Sequence, residues 1–308
     1  MTVAKRSRTV HVSRLSRALS YAARVPGLFD HVLFFVLAAL GPLWGATYGY
    51  RRLARTAPDD RSRIRLTVYR ATIAIQWGLS AVLVGGWLVT GRPWATLGLA
   101  PRMTGGLLGV ALGTMLVAVF IARQRREVLS DDAALAEVRE RMSHLEPVLP
   151  RSAREMREFA ALAVTAGICE ELLYRGFMIQ YLAHFTSLIA AAAIASVIFG
   201  IGHAYQRWRG VQLTTLVGGF LSAVYLISGS LVMPMLLHAL MDLHSGHLAY
   251  VALQRQTQLD AERASSAWVA SAPHVEPAEA PPSAESEITP PPERSSEPLS
   301  DPGMEPPA

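Results

Sequence analysis

The sequence predicts an all-α polytopic transmembrane helical bundle of about seven spans, followed by a disordered C-terminal tail. Three observations predict it. Hydrophobic residues make up 51% of the 308 positions and charged residues only 17%, well below the roughly 25% of an ordinary soluble domain. Mean hydropathy is +0.27, although the segment from about residue 256 onward is polar and rich in Pro, Ser and Glu. The apolar residues gather into runs near the ~20 that a helix needs to cross about 30 Å of hydrocarbon. Helices are expected because lipid offers no partner to an open sheet edge. This composition argues against a water-soluble enzyme. The one cysteine excludes a disulfide framework and a Cys-rich zinc site. The formal charge is +5, and Lys5 is the one lysine among 29 basic residues. In such a chain basic excess speaks to lipid headgroups and topology, and no nucleic-acid partner is expected.

Residues 1–27 form a basic segment (Lys5, Arg6, Arg8, Arg14, Arg17, Arg24) without the apolar core of a secretory signal, expected to lie near headgroups. The apolar stretches are 30–50, 71–90, 105–122, 159–180, 187–206, 211–228 and 230–252. Between them, 51–67 is Arg-rich and 91–104 is short, with Pro93 and Pro101. Residues 123–158 alternate acid and base and are expected to form one amphipathic surface helix, broken at Pro147 and Pro150. The Arg-rich loops after the first and third spans fall on one side if the spans alternate, which puts the N-terminus outside. The basic N-terminal segment votes the other way, and a first segment broken at Gly41–Pro42 would satisfy both. The expected division is 28–158 for the N-terminal helices and loop, 159–252 for the core that bears the chemistry, and 253–308 for the tail, which cannot bury enough apolar surface to order itself.

Ionisable groups in hydrocarbon cost about 2.5–3.5 kcal/mol each at a span centre and are seldom idle. The first three spans hold almost none. Glu171 and Arg175 are i and i+4 in CEELLYRG and can neutralise each other. Glu170 points about 100° away on an ideal helix and has no local partner. Phe199 and His203 are i and i+4 around two glycines, and His238 and Asp242 share a face one turn after Pro234, which is expected to loosen its helix. Each feature has a structural reading: a bundle hydrogen bond, an ion-pair clasp, a wet helix end. Together, a carboxylate and two imidazoles on three spans can polarise water, directly or by holding a metal. His203 falls late in its span and His238 early, which would separate them in depth by about 10 Å. Cys169 lacks a dedicated base, His244 and His247 look interfacial, and Asp30 and His31 are expected to face water.

The runs EELLYRG (170–176), FGIGH (199–203) and HALMD (238–242) resemble the EExxxR, FxxxH and HxxxN/D motifs of the CPBP family, also called Abi. These are the CAAX-processing and bacteriocin-processing intramembrane proteases related to Rce1-type prenyl-protein endopeptidases. The resemblance covers about residues 155–250. It implies a glutamate-dependent intramembrane endopeptidase, described in the family as a metalloprotease. Glu170 would activate water together with His203. Glu171 and Arg175 would orient the site, and His238 and Asp242 would stabilise the oxyanion or complete a metal site. Asp242 stands where the family often has Asn; an ionised Asp cannot donate to an oxyanion, which favours orienting His238 or binding metal. A divalent metal such as zinc on Glu170, His203 and His238, and a metal-free mechanism, both fit the same residues. The expected partners are a peptide or membrane-protein substrate and the lipid bilayer, in a membrane that the Arg-for-Lys bias hints is bacterial. The competing reading is a non-catalytic scaffold, immunity factor or transporter subunit that uses the same polar cluster structurally.

Overall fold

The computed structural model describes residues 25–44, 49–100 and 105–271, and these are helical throughout apart from short connections. The chain divides into Met1–Glu262 and Arg263–Ala308, the described part of the second being the end of the last helix. The expected basic segment lies outside the described residues up to residue 24. Helix α1 (Leu28–Phe35) passes through a π-helical turn, Val36–Leu40, into a last turn at Gly41–Trp44. It is not broken at Gly41–Pro42. The wider π register lets the Gly41 N–H reach the Val36 carbonyl and absorbs the donor that Pro42 lacks. After α1 come α2 (Arg61–Val89), α3 (Gly105–Leu129), α4 (Asp132–Met142), α5 (Ala153–Glu170), α6 (Leu188–Gly202), α7 (Arg207–Ser228) and α8 (Val232–Ser271).

Among the described residues three helical stretches are long and apolar enough to cross a membrane, Pro58–Val89, Gly106–Leu129 and Ala204–Ser228; Leu28–Leu43 and Leu188–Gly202 are apolar but shorter. The seven expected stretches therefore do not all qualify. The reason lies in their sequences: three histidines and Asp242 dilute the apolar start of α8, and the stretch 159–180 carries Glu170, Glu171 and Arg175. The loop 123–158 is not one helix either. Ser130 and Asp131 end α3, the Asp131 side chain caps α4 by accepting from Ala133 N at 2.8 Å, and a 3-10 stretch, Ser143–Val148, takes up Pro147. Helix α8 runs to Ser271, into the segment expected as tail from 253. Residues 253–268 hold good helix formers, and Pro273 is the first proline beyond them.

Cross-helix contacts fix the arrangement. Partner numbers rise together between α2 and α5: Arg65 with Glu155 at 2.8 Å, Arg70 with Glu158, Gln76 with Glu170 at 2.6 Å, so these helices run parallel. Arg65 and Glu155 are each 1% exposed. Burial alone pushes the Glu155 carboxyl up; the Ser62 hydroxyl, the Arg151 backbone N–H and the Arg65 guanidinium outweigh it and hold the carboxyl below its ordinary range. Helix α8 runs antiparallel to α5, with Gly167 against Ala239 and Gly246 against Phe159. Between α5 and its neighbours lies a core that includes Leu83, Trp87, Leu172, Phe177, Met178 and Leu231. Asp30, expected in water, is buried and clasped by both Arg92 nitrogens at 2.5 and 2.7 Å; His31 is exposed and its Nδ1 lies 2.8 Å from the Tyr181 hydroxyl.

Helices α6 and α7 pack as an antiparallel pair through small residues, Ser196 lying 3.2 Å from Ser222. Gly200 meets α7 so closely that a Cβ there would collide with Thr215 and come within 2.9 Å of the Val211 carbonyl. Gly200→Ala is therefore expected to destabilise the protein by about 1–3 kcal/mol. Gly78→Ala serves as the control, because a Cβ at Gly78 meets nothing within 4 Å. Thermal unfolding in detergent reads the difference, and equal melting of the two variants would contradict the close packing.

Candidate active site

The first motif helix, α5, supplies the first residues of the site. Ser152 caps α5, its hydroxyl accepting from Glu155 N at 3.2 Å, and the helix stays α-helical to Glu170. From Glu171 to Met178 it widens into a π-helix. Single π turns inside α-helices often mark functional sites. The wider turn reduces the angle between successive side chains below that of an α-helix. The adjacent glutamates consequently approach the two nitrogens of one ring. Glu171 Oε1 lies 2.7 Å from His238 Nδ1, and Glu170 Oε2 lies 3.9 Å from His238 Nε2.

Glu171 is fully buried, and its Oε1 also accepts from Arg175 Nη1 at 2.7 Å. Arg175 is fixed in turn by the Gly218 carbonyl at 3.2 Å and by the Phe199 ring, 4.4 Å from its Cζ. The predicted pair thus exists and also reaches α6, α7 and α8. Because a carboxylate only accepts, His238 Nδ1 carries the proton of its bond to Glu171, which turns Nε2 toward Glu170. Asp242 Oδ2 lies 3.6 Å from the same Nε2.

His203 ends α6. Its Nδ1 donates to the Phe199 carbonyl at 2.9 Å, which leaves Nε2 available. The depth difference expected between His203 and His238 does not keep them out of one cavity, which both line. The Phe199 ring neighbours both, with centroids 4.7 Å from His203 and 6.0 Å from His238. The physical reason is the length of α6: its 15 residues extend only about 22 Å, short of a full crossing. Pro234 does not loosen α8, since it sits in the first turn, where a missing N–H breaks no intrahelical bond.

Two cavities meet at Phe199 and His203. One, of about 260 Å³, is mostly apolar and aromatic, and Gln76, Glu170 and His203 are among its polar residues. The other, of about 1230 Å³, is lined by His203, His238 and Asp242 and by polar residues of α4 and the start of α7. Arg207, on that wall, has φ 66°, a left-handed backbone that costs a non-glycine residue on the order of 1–3 kcal/mol. Cys169 is buried, and neither it nor His244 or His247 lines these cavities.

Glu170 Oε1 accepts from Gln76 Nε2, but Glu170 Oε2 is buried with no partner among the described residues. Such an acceptor calls for a donor, and a water is the smallest. A metal fits less well. Zinc ligands at about 2.0–2.1 Å in a tetrahedral set stand about 3.4 Å apart, whereas Glu170 Oε2 and His238 Nε2 are 3.9 Å apart. Among the described residues no three His, Cys, Asp or Glu side chains form a metal-binding group, so Glu170, His203 and His238 do not make one here.

Sequence reasoning missed Gln76, although it is the one amide in the apolar stretch 71–90. It also missed the π-helix, which no local signal announces. Residues 153–244 match the family described as type II CAAX prenyl endopeptidase Rce1-like. No curated protein and no solved structure matches the chain. The matched segment starts with α5 and ends two residues past Asp242, so it holds all three motifs. The polar set gathered by α5, α6 and α8 thus lies within the segment that matches the Rce1-like family, and residues 153–244 support a relationship of this membrane protein to the CPBP/Rce1-like proteins.

Proposed function

We propose that the protein is an intramembrane endopeptidase that hydrolyses a peptide bond with a water activated by Glu170. The observation that carries this reading is the buried, unpartnered Glu170 Oε2, 3.9 Å from His238 Nε2. A water donating to Oε2 gives up its proton to the carboxylate as its oxygen bonds to the scissile carbonyl carbon. His203, with Nε2 free, and His238 flank the carbonyl oxygen and stabilise its developing charge when protonated there. Glu170 then passes its proton to the leaving nitrogen as the C–N bond breaks, and the products are a carboxylic acid and an amine. Glu171 holds the tautomer and orientation of His238, Arg175 neutralises Glu171, and Asp242 orients the ring from the outer side. Neither a metal nor a prenyl group is needed for any of these steps. The substrates we propose are apolar peptides or membrane proteins, and the setting is a bacterial cell membrane.

The test uses the full chain in phospholipid vesicles, incubated with a library of apolar peptides and read by mass spectrometry for new termini. Fragments that appear with the wild type and disappear with His203→Ala are expected. Their absence throughout would favour a scaffold, immunity factor or transporter subunit. A parallel sample treated with a zinc chelator should keep its fragments; loss that added zinc restores would assign the water to a metal.

A further inference from the structure

Gln76 belongs to α2, outside both the three motifs and the matched segment, yet it is the one described side chain that hydrogen-bonds Glu170. Its orientation is fixed by chemistry. The atom 2.6 Å from Glu170 Oε1 must be the amide nitrogen, because the carbonyl oxygen would face a carboxylate acceptor to acceptor. The amide oxygen is therefore forced away from Glu170. It is buried, and no donor among the described residues meets it.

Gln76 lines the same apolar cavity as Glu170. Four other polar side chains on that wall have already spent their donors, and the Tyr205 hydroxyl, which accepts from Gln206, reaches neither Glu170 nor Gln76. Thr72 donates to the Val68 carbonyl, Tyr50 to the His144 carbonyl, Tyr69 to the Val148 carbonyl and Tyr174 to the Leu37 carbonyl. The cavity thus holds two buried acceptors, Glu170 Oε2 and Gln76 Oε1, that these neighbours leave unserved. A buried acceptor without a donor is costly, and an occupant that brings two donors relieves both. A water on Glu170 is one. An extended peptide, with an N–H beside its scissile bond and an apolar side chain in the aromatic cavity, brings the other.

We propose that Gln76 is a positioning residue with two jobs: its amide nitrogen holds Glu170 so that Oε2 is the free oxygen, and its amide oxygen accepts a backbone N–H of the substrate next to the bond to be cut. This rests on the peptidase reading above and adds a substrate contact from a helix that the motifs do not include.

An amide-to-ester scan separates the two jobs. An apolar peptide cleaved in the vesicle assay is remade with each backbone N–H near the cut, the scissile one excepted, replaced in turn by oxygen. With the wild type, one ester position should lower kcat/KM by about 3- to 10-fold, the worth of one hydrogen bond. Gln76→Leu, which removes donor and acceptor, should lower kcat for the parent peptide by about 10-fold or more and abolish the penalty at that ester. Gln76→Glu, which keeps an acceptor but loses the donor, should lower kcat and retain the penalty. A structural role alone would lower activity with the ester pattern unchanged in both variants, and would overturn the proposal. If Gln76→Leu does not fold, the wild-type scan still decides: cleavage indifferent to every ester removes the substrate contact while the peptidase reading stands. A wild type that neither cleaves nor binds the peptides removes both readings.

Discussion

Glu170→Gln is expected to lower peptide hydrolysis by about 100- to 10,000-fold, the usual contribution of a positioned general base. The exchange preserves size and keeps an oxygen or nitrogen at each carboxylate position. It removes the one property that the surroundings do not supply, an acceptor able to take and return a proton at Oε2. Folding should change little. The Gln76 amide, 2.6 Å from Oε1 in the wild type, can still donate to a glutamine oxygen, and the 3.9 Å gap to His238 is too long for a direct hydrogen bond whose loss would count. The measurement is the single-turnover rate on a cleaved peptide in vesicles, with thermal unfolding alongside. Retained hydrolysis in a folded variant would remove Glu170 from the chemistry.

The largest effect on stability is expected at Glu171. Its Oε1 accepts from Arg175 and from His238, both at 2.7 Å, and the side chain is wholly buried. In Glu171→Ala the guanidinium remains buried with the Gly218 carbonyl and the Phe199 ring as its described contacts. Stranding a buried charge in this way costs about 3–5 kcal/mol. The same exchange frees the His238 ring, so hydrolysis should fall as well. Adding Arg175→Leu to Glu171→Ala should recover part of the stability, since it removes the stranded charge, but none of the hydrolysis. Thermal unfolding of the two single variants and the double variant gives the coupling. Independent, additive losses would show that the pair is not the keystone of this region.

The motifs made the convergence of Glu170, Glu171, Arg175, His203, His238 and Asp242 legible, because charged residues in apolar runs must find one another. Spacing alone left two things hidden. An ideal α-helix separates Glu170 from Glu171 by about 100°, and only the π-helical stretch Glu171–Met178 lets both glutamates address His238. The length of α6 was hidden too: the apolar run 187–206 reads as a full span, yet the helix ends at Gly202 and leaves His203 beside Phe199. Long-range partners were equally illegible. Arg65 with Glu155, Arg92 with Asp30 and Gln76 with Glu170 are separated by 90, 62 and 94 positions, and nothing local in either member of a pair names the other.

The parallel seam between α2 and α5 bears on how the molecule can be cut and recombined. A fragment trimmed to residues 153–244 would leave Glu155 without Arg65 and Glu170 without Gln76. The chemistry-bearing segment is therefore not a transplantable cassette. A chimera that swaps it into an Rce1-like protein has to carry its own second helix, or a host helix that offers a guanidinium and an amide eleven positions apart.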